Sequence, residues 1–134
     1  MKTVLYLLSL ALLALPLGAT AAEIAGKLNG LNCAITGYVC PIDKRDPMVA
    51  LEPDFVVHQA DGDYYLISNI DRAVKARYAL EDVVVQGEVN EQYRTIQADS
   101  LQVKQNGQLK TVWTQEAQNK VREELMERLY GSPH

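Results

Sequence analysis

The chain has 134 residues, of which 48% are hydrophobic and 22% charged, and its formal net charge is −4. This length allows one domain and hardly two, and the composition is that of a globular protein, which excludes a disordered chain. The acidic surplus argues against general nucleic-acid binding, which needs a basic surface to neutralise phosphates.

Residues 1–21 have the features of a secretory signal peptide. Lys2 supplies a positive charge, residues 4–15 form an apolar run, and residues 19–21 (Ala-Thr-Ala) have the small-x-small form that signal peptidase accepts. The run is shorter than the ~20 residues that span a bilayer, although a retained membrane anchor is the alternative. We therefore expect cleavage before Ala22, a mature chain of 113 residues with no membrane span, and a periplasmic or secreted location.

Export decides how the two cysteines are interpreted. In an oxidising compartment an even pair forms a disulfide more often than a metal site, so we expect Cys33 and Cys40 to be bridged. In one continuous strand their Cα atoms would lie more than ~20 Å apart, which is too far for a bridge. A bridge therefore requires a two-residue turn at Thr36 and Gly37 or a bend at Gly37, and two free thiols are the third possibility.

The first part of the mature chain alternates between loose and regular segments. Residues 22–30 contain two glycines and few large apolar groups, and we predict a flexible N-terminal segment. Residues 31–39 alternate in a period of two, which indicates a strand with a bulge or bend at Gly37. Residues 40–53 contain three prolines, which forbid a regular helix or a central strand, so we expect a loop.

The middle of the chain predicts a hairpin, a short helix and further strands. Asp61-Gly62-Asp63 is the strongest hairpin signal in the sequence and separates predicted strands over residues 54–60 and 64–68. Asp71 can cap a short helix over residues 72–79. Additional strands are expected over residues 81–89, 93–104 and 109–113.

An amphipathic helix is predicted at the C-terminal end, over residues 114–130. Thr114 is the candidate N-cap, and Gly131 stands where a C-cap is needed. An apolar row follows the helical period and consists of Ala117, Val121, Leu125, Met126 and Leu129. We expect this row to dock on the chain's own domain, and the alternative is a helix that binds a partner.

The order of these elements favours a mainly β fold with some α: a five-stranded antiparallel barrel over residues 31–113, with a short helix between strands three and four. Closing the sheet removes exposed edges. The phrases TGYVCPID, DGDYYLISN and VVVQGEVNEQYRTIQADSLQV resemble small exported bacterial proteins of the oligonucleotide/oligosaccharide-binding (OB) fold. The resemblance extends from Cys33 to Val103, or 71 of 113 mature residues. It implies this barrel and a general binding module, and it does not imply a nucleic-acid function.

The sequence contains no catalytic motif. It has no C-x-x-C or C-x-x-C-H sequence, no G-x-S-x-G and no phosphate-binding glycine loop. We therefore expect a non-enzymatic protein without a cofactor. The alternative is a periplasmic redox or metal-handling protein with a soft copper or zinc site, although its four candidate ligands share no recognised spacing. These are Cys33, Cys40, Met48 and His58.

A group of aromatic and basic residues is the predicted binding site. Aromatic rings beside cations can hold an anion or a sugar ring, so we predict that an unknown protein or small molecule binds here. In the alternative, these residues form no binding site: one tyrosine of each neighbouring pair packs into the core, and the basic side chains of the short helix are solvated. The predicted site consists of Tyr64, Tyr65, Arg72, Lys75, Arg77 and Tyr93, with Tyr78 nearby.

Overall fold

A computed structural model describes residues 21–41 and 47–131 of the chain. The predicted signal peptide therefore lies, apart from Ala21, outside the described residues. In chain order the elements are β1 (Ala22–Gly30), α1 (Leu31–Ile35), α2 (Pro47–Leu51), β2 (Phe55–His58), β3 (Tyr64–Ile67), α3 (Arg72–Arg77), β4 (Asp82–Asn90), β5 (Thr95–Gln105), β6 (Gln108–Thr114) and α4 (Gln115–Tyr130).

Five of the strands close into a barrel. β1 pairs antiparallel with β2 and β4, β2 pairs with β3, and β4 pairs with β5. A short parallel pairing of β3 with β5, at Leu66–Thr95 and Ile67–Ile96, completes the ring, and β6 continues the sheet beyond β5. The predicted five-stranded barrel with α3 between its third and fourth strands is confirmed. It is a mixed barrel, because the closing pair is parallel.

Alternate side chains of the strands fill the barrel with one hydrophobic core. On β1, Ile24 and Leu28 face inward and lie opposite Val85 and Val57 of the neighbouring strands. Because the inside is packed with apolar side chains, polar groups that could meet a ligand lie on the outer face and at the barrel ends. Other fully buried apolar side chains are Phe55, Val56, Ile67, Val83, Ile96, Leu101 and Val103.

The prediction of a flexible segment over residues 22–30 is wrong, because these residues form β1. Gly26 stands between Ile24 and Leu28 on the inward face, so a residue without a side chain interrupts the apolar alternation. The barrel domain therefore begins at Ala22, nine residues before the predicted boundary.

The predicted strand over residues 31–39 is also wrong, because its first five residues form α1. Gly37 ends this helical turn with a φ of 78°, and the Gly37 N–H donates to the Ala34 carbonyl. A left-handed glycine after the last helical residues is a common way to end a helix. The chain therefore bends at Gly37 as predicted, but the bend follows a helix and does not interrupt a strand.

The prediction of a structureless loop over residues 40–53 fails at α2, which begins with Pro47. Proline suits the first turn of a helix, because its missing N–H would have no intrahelical partner there. Residues 42–46 of the same predicted loop lie outside the described residues. The short helix before β4 is present as α3, although the Asp71 side chain makes no capping hydrogen bond.

The C-terminal helix is capped as predicted and leaves its apolar row uncovered. The Thr114 side chain accepts a hydrogen bond from the Ala117 N–H, and Gly131 follows the last turn. Near the start of α4, Asn69 donates to the Gln115 side chain at 2.6 Å, which fixes the helix to the barrel. The expected docking on the barrel is not observed. Four apolar side chains of α4 are each more than half exposed: Val121, Leu125, Met126 and Leu129.

Gly87 provides a test of how β4 and β5 pack. The register shifts between Gln86 and Gly87, and a Cβ atom at Gly87 would overlap the backbone oxygen of Gln97. We expect Gly87→Ala to lower the free energy of unfolding by about 1–3 kcal/mol, the usual effect of overpacking. The neighbouring exposed variant Gln86→Ala should change it by less than about 0.5 kcal/mol. Urea unfolding followed by circular dichroism measures both, and equal stabilities would contradict this packing.

Candidate functional site

Lys75 of the predicted binding site is turned into the protein. Its side chain is 1% exposed, and its ammonium group lies 2.7 Å from an Asp54 carboxylate oxygen. It also donates to the Ile67 carbonyl oxygen at 3.1 Å. Lys75 is therefore neither open to a ligand nor surrounded by solvent, contrary to both interpretations of the sequence, and its charge joins α3 to the residue before β2.

Arg72 has a similar structural role. Its guanidinium group donates to the backbone oxygens of Glu52 and Ala50, each at 2.9 Å, and lies 5.5 Å from the centre of the Phe55 ring. These contacts hold the end of α2 and the residue that follows it against α3. The Nε and Nη2 atoms of Arg72 are thus engaged with the backbone, although the residue itself is exposed.

The aromatic members of the predicted site are divided in the same way. The Tyr65 ring is buried and its hydroxyl donates to Glu91 at 2.8 Å, whereas Tyr93 and Arg77 are exposed and Tyr64 is half-buried. The hydrogen bond to Glu91 raises the pKa of Tyr65 above its ordinary value, and desolvation acts in the same direction. Since Tyr65 and Lys75 are buried and Arg72 binds backbone oxygens, the six predicted residues do not form one open platform.

The predicted disulfide is confirmed, and it has a buried acidic neighbour. Cys33 and Cys40 are bridged, with their Cα atoms 5.6 Å apart, because α1 and the turn at Gly37 fold the chain back. Glu52 is 4% exposed, and its Oε1 atom lies 3.3 Å from Cys33 Sγ and 3.8 Å from Cys40 Sγ. Its other oxygen accepts a hydrogen bond from the Asn32 N–H at 2.7 Å. A Cβ atom at Gly30 would overlap the Glu52 side chain, so the glycine makes this approach possible.

His58 does not join this group. Asn29 Oδ1 accepts hydrogen bonds from the backbone N–H groups of Gly30 and Cys40, which orients the amide. The Nδ2 group of Asn29 then donates to the backbone oxygen of Tyr38 and to Nδ1 of His58. The amide thus occupies Nδ1 of His58, which leaves Nε2 as the ring nitrogen without this partner. Met48 of the proposed metal set is exposed on α2. The structure thus combines the two cysteines with Glu52, which the sequence analysis did not single out.

A groove of about 850 Å³ crosses the outer face of the sheet near the ends of two hairpins. Small and apolar side chains form much of it, while Lys27, His58, Asp82 and Lys104 contribute polar groups. Lys27 and Asp82 are paired with each other at 3.0 Å. The apolar lining includes Ala25, Val39, Ala60, Val83, Val84 and Leu109.

One side of the groove is an incompletely paired strand. In β1, the Leu28 N–H points towards β4, because it donates to the backbone oxygen of Glu81. Backbone groups of successive residues in a strand point to opposite sides, so those of Ala25 and Glu23 point away from β4. On that side the pairing with β2 ends at Lys27–His58, and no described strand lies beside Glu23 and Ala25. The groove therefore offers both apolar surface and backbone hydrogen-bonding groups.

No family model, curated protein or solved structure matches the chain. Among residues 21–41 and 47–131, no helix is long and apolar enough to cross a membrane.

The pairing of Lys75 with Asp54 can be tested by comparison with an exposed pair. Asp54→Ala leaves a buried ammonium group unpaired and should lower the free energy of unfolding by about 3 kcal/mol or more. Adding Lys75→Met should recover part of the loss, because no buried charge remains. Asp82→Ala removes the partner of Lys27 on the surface and should cost no more than about 1 kcal/mol. Chemical denaturation measures all three, and equal losses in Asp54→Ala and Asp82→Ala would refute a structural Lys75.

The contact between Tyr65 and Glu91 predicts a dependence of stability on alkaline pH. Because the folded pKa of Tyr65 is raised above 10.0, its stabilising effect is complete below the unfolded pKa and is lost as the pH rises through the folded one. Wild-type protein should therefore lose more stability above pH 10 than Tyr65→Phe does. Glu91→Gln should lower the pKa of Tyr65 in a titration of tyrosinate absorbance, and an unchanged titration would show that Glu91 has no such influence.

Proposed function

We propose that the chain is an exported, non-enzymatic module that binds an extended peptide segment of a partner protein. The observation that carries the proposal is the groove beside β1, where an apolar lining adjoins the unpaired backbone groups of Glu23 and Ala25. An extended peptide can add to a sheet edge through its main chain while its side chains occupy the neighbouring pockets.

The chemistry of the groove favours a peptide over a small charged ligand. Ala25, Ala60 and Val84 offer apolar contact for alternate side chains of an extended segment. Lys27 is engaged with Asp82 and with the Leu80 oxygen, so it is not available as a dedicated anion-binding group. His58 lines the groove, and Nε2 is the ring nitrogen that Asn29 leaves available for a hydrogen bond to a peptide backbone.

Export and kinship with small OB-fold proteins belong to the same proposal. The buried disulfide is compatible with an oxidising compartment. The barrel connectivity, with the fifth strand placed between the third and the fourth, is consistent with the resemblance that the sequence suggests. Binding would take place through shape and main-chain hydrogen bonds, without covalent chemistry.

Binding of a library of fluorescein-labelled twelve-residue peptides with alternating apolar and polar residues tests the proposal. We expect members of the library to bind the oxidised protein with dissociation constants in the micromolar range, as measured by fluorescence anisotropy. Ala25→Trp fills the groove and should weaken binding at least tenfold. Ala25→Pro removes one backbone donor from the unpaired edge and should also weaken it, since strand addition depends on main-chain hydrogen bonds.

Ala73→Trp is the matched control, because it adds the same bulk to an exposed position of α3 outside the groove. It should bind peptide as the wild type does. The proposal fails if no library member binds, or if Ala25→Trp and Ala73→Trp bind equally well.

A further inference from the structure

Cys33, Cys40 and Glu52 form the one cluster of three potential metal ligands found within residues 21–41 and 47–131. Each residue places a ligand atom within 4.8 Å of the other two. In the oxidised chain the two sulfurs are bonded to each other, which leaves them unable to serve as thiolate ligands. The cluster therefore becomes relevant to metal binding when the disulfide is reduced.

The position of Glu52 fits the dimensions of a tetrahedral zinc site. With Zn–S bonds of about 2.3 Å and Zn–O bonds of about 2.0 Å, the oxygen-to-sulfur edge of the tetrahedron is about 3.5 Å. Glu52 Oε1 already lies 3.3 Å from Cys33 Sγ and 3.8 Å from Cys40 Sγ. Only the two sulfurs have to separate, to about 3.8 Å, and rotation of the cysteine side chains can provide this once the bond is broken.

The surroundings hold these ligands in place. The Asn32 N–H binds Glu52 Oε2, which leaves Oε1 directed at the sulfurs, and Asn29 Oδ1 accepts from the Cys40 N–H. Such outer contacts orient metal ligands. Cys40 and Glu52 are buried, while Cys33 is half-buried and gives access from solvent.

We propose that the reduced chain binds one Zn²⁺ through Cys33 Sγ, Cys40 Sγ and Glu52 Oε1, with water in the fourth position. A dithiol reductant supplies two electrons and two protons to the disulfide and becomes a disulfide itself. Zn²⁺ then displaces the two thiol protons to solvent and forms two Zn–S bonds and one Zn–O bond. This site differs from a set that includes Met48 and His58, and it does not depend on the proposed peptide binding.

Zinc binding to the full-length mature protein tests the proposal. After reduction with a phosphine under anaerobic conditions, we expect the wild type to bind one equivalent of zinc chloride in competition with a chromophoric chelator. The oxidised protein should bind none. Glu52→Gln should weaken zinc binding at least tenfold, while Glu88→Gln, an amide replacement at an exposed position of β4, should leave it unchanged.

Cobalt(II) provides a second readout that reports the ligands directly. The reduced wild type should give a thiolate-to-cobalt charge-transfer band and the intense visible bands of tetrahedral cobalt, and Cys33→Ser should lose the charge-transfer intensity of one thiolate. If reduction unfolds the barrel, zinc must restore the native circular dichroism spectrum. Absence of zinc binding by the reduced wild type, failure of zinc to restore the fold, or equal binding by Glu52→Gln overturns the proposal.

Discussion

The arrangement of the groove and of the disulfide segment depends on the hydrogen bonds of the buried Asn29 amide. The Asn29 side chain is completely buried, and its oxygen and nitrogen make four hydrogen bonds that join the end of β1 to the segment at residues 38–40 and to β2. These partners are the Gly30 and Cys40 N–H groups, the Tyr38 oxygen and the His58 ring. A buried amide left without partners would cost about 1–3 kcal/mol. The hydrogen bonds of Asn29 therefore strongly favour a single arrangement of the segment at residues 38–40 against the barrel.

The same need to pair polar groups explains why the basic residues of α3 do not form a binding surface. A small barrel leaves the segment between α2 and β2 without a strand partner, and its backbone oxygens need donors. Arg72 donates to the Glu52 oxygen of this segment and to the Ala50 oxygen of α2, and Lys75 pairs with Asp54 of the same segment. Charges that a sequence pattern places on a solvated helix face are therefore used to hold the connection between two elements.

The sequence predicts the barrel better than it predicts the site, for physical reasons. The hairpin at Gly62, the valine run of β4 and the caps of α4 are local signals, and each corresponds to an element of the structure. β1 was missed because Gly26 conceals its alternation, and only pairing with two neighbours makes it a strand. Tertiary context overrides local preference in such cases.

The site itself rests on contacts between residues that are distant in the chain. Glu52 meets the disulfide only because α1 and α2 fold over the end of β1, and nothing in its own neighbourhood distinguishes it from a solvated acid. The groove likewise combines residues of five strands and of two connecting segments. The cysteine pair could be predicted because the features of a signal peptide and the even number of cysteines are visible in the sequence alone. The acidic neighbour and the groove are properties of the folded chain.

The disulfide and the groove share one segment, which links the two proposals structurally. The bridge joins residues seven positions apart, and the loop it closes contains Gly37 and Val39, which line the groove. In the chain-entropy model a closed loop of this length stabilises the fold by about 2.5 kcal/mol. An ordered wall also lowers the entropy lost when a ligand binds. Zinc held by the same two cysteines would close the same loop, so either cross-link would keep this wall of the groove in place.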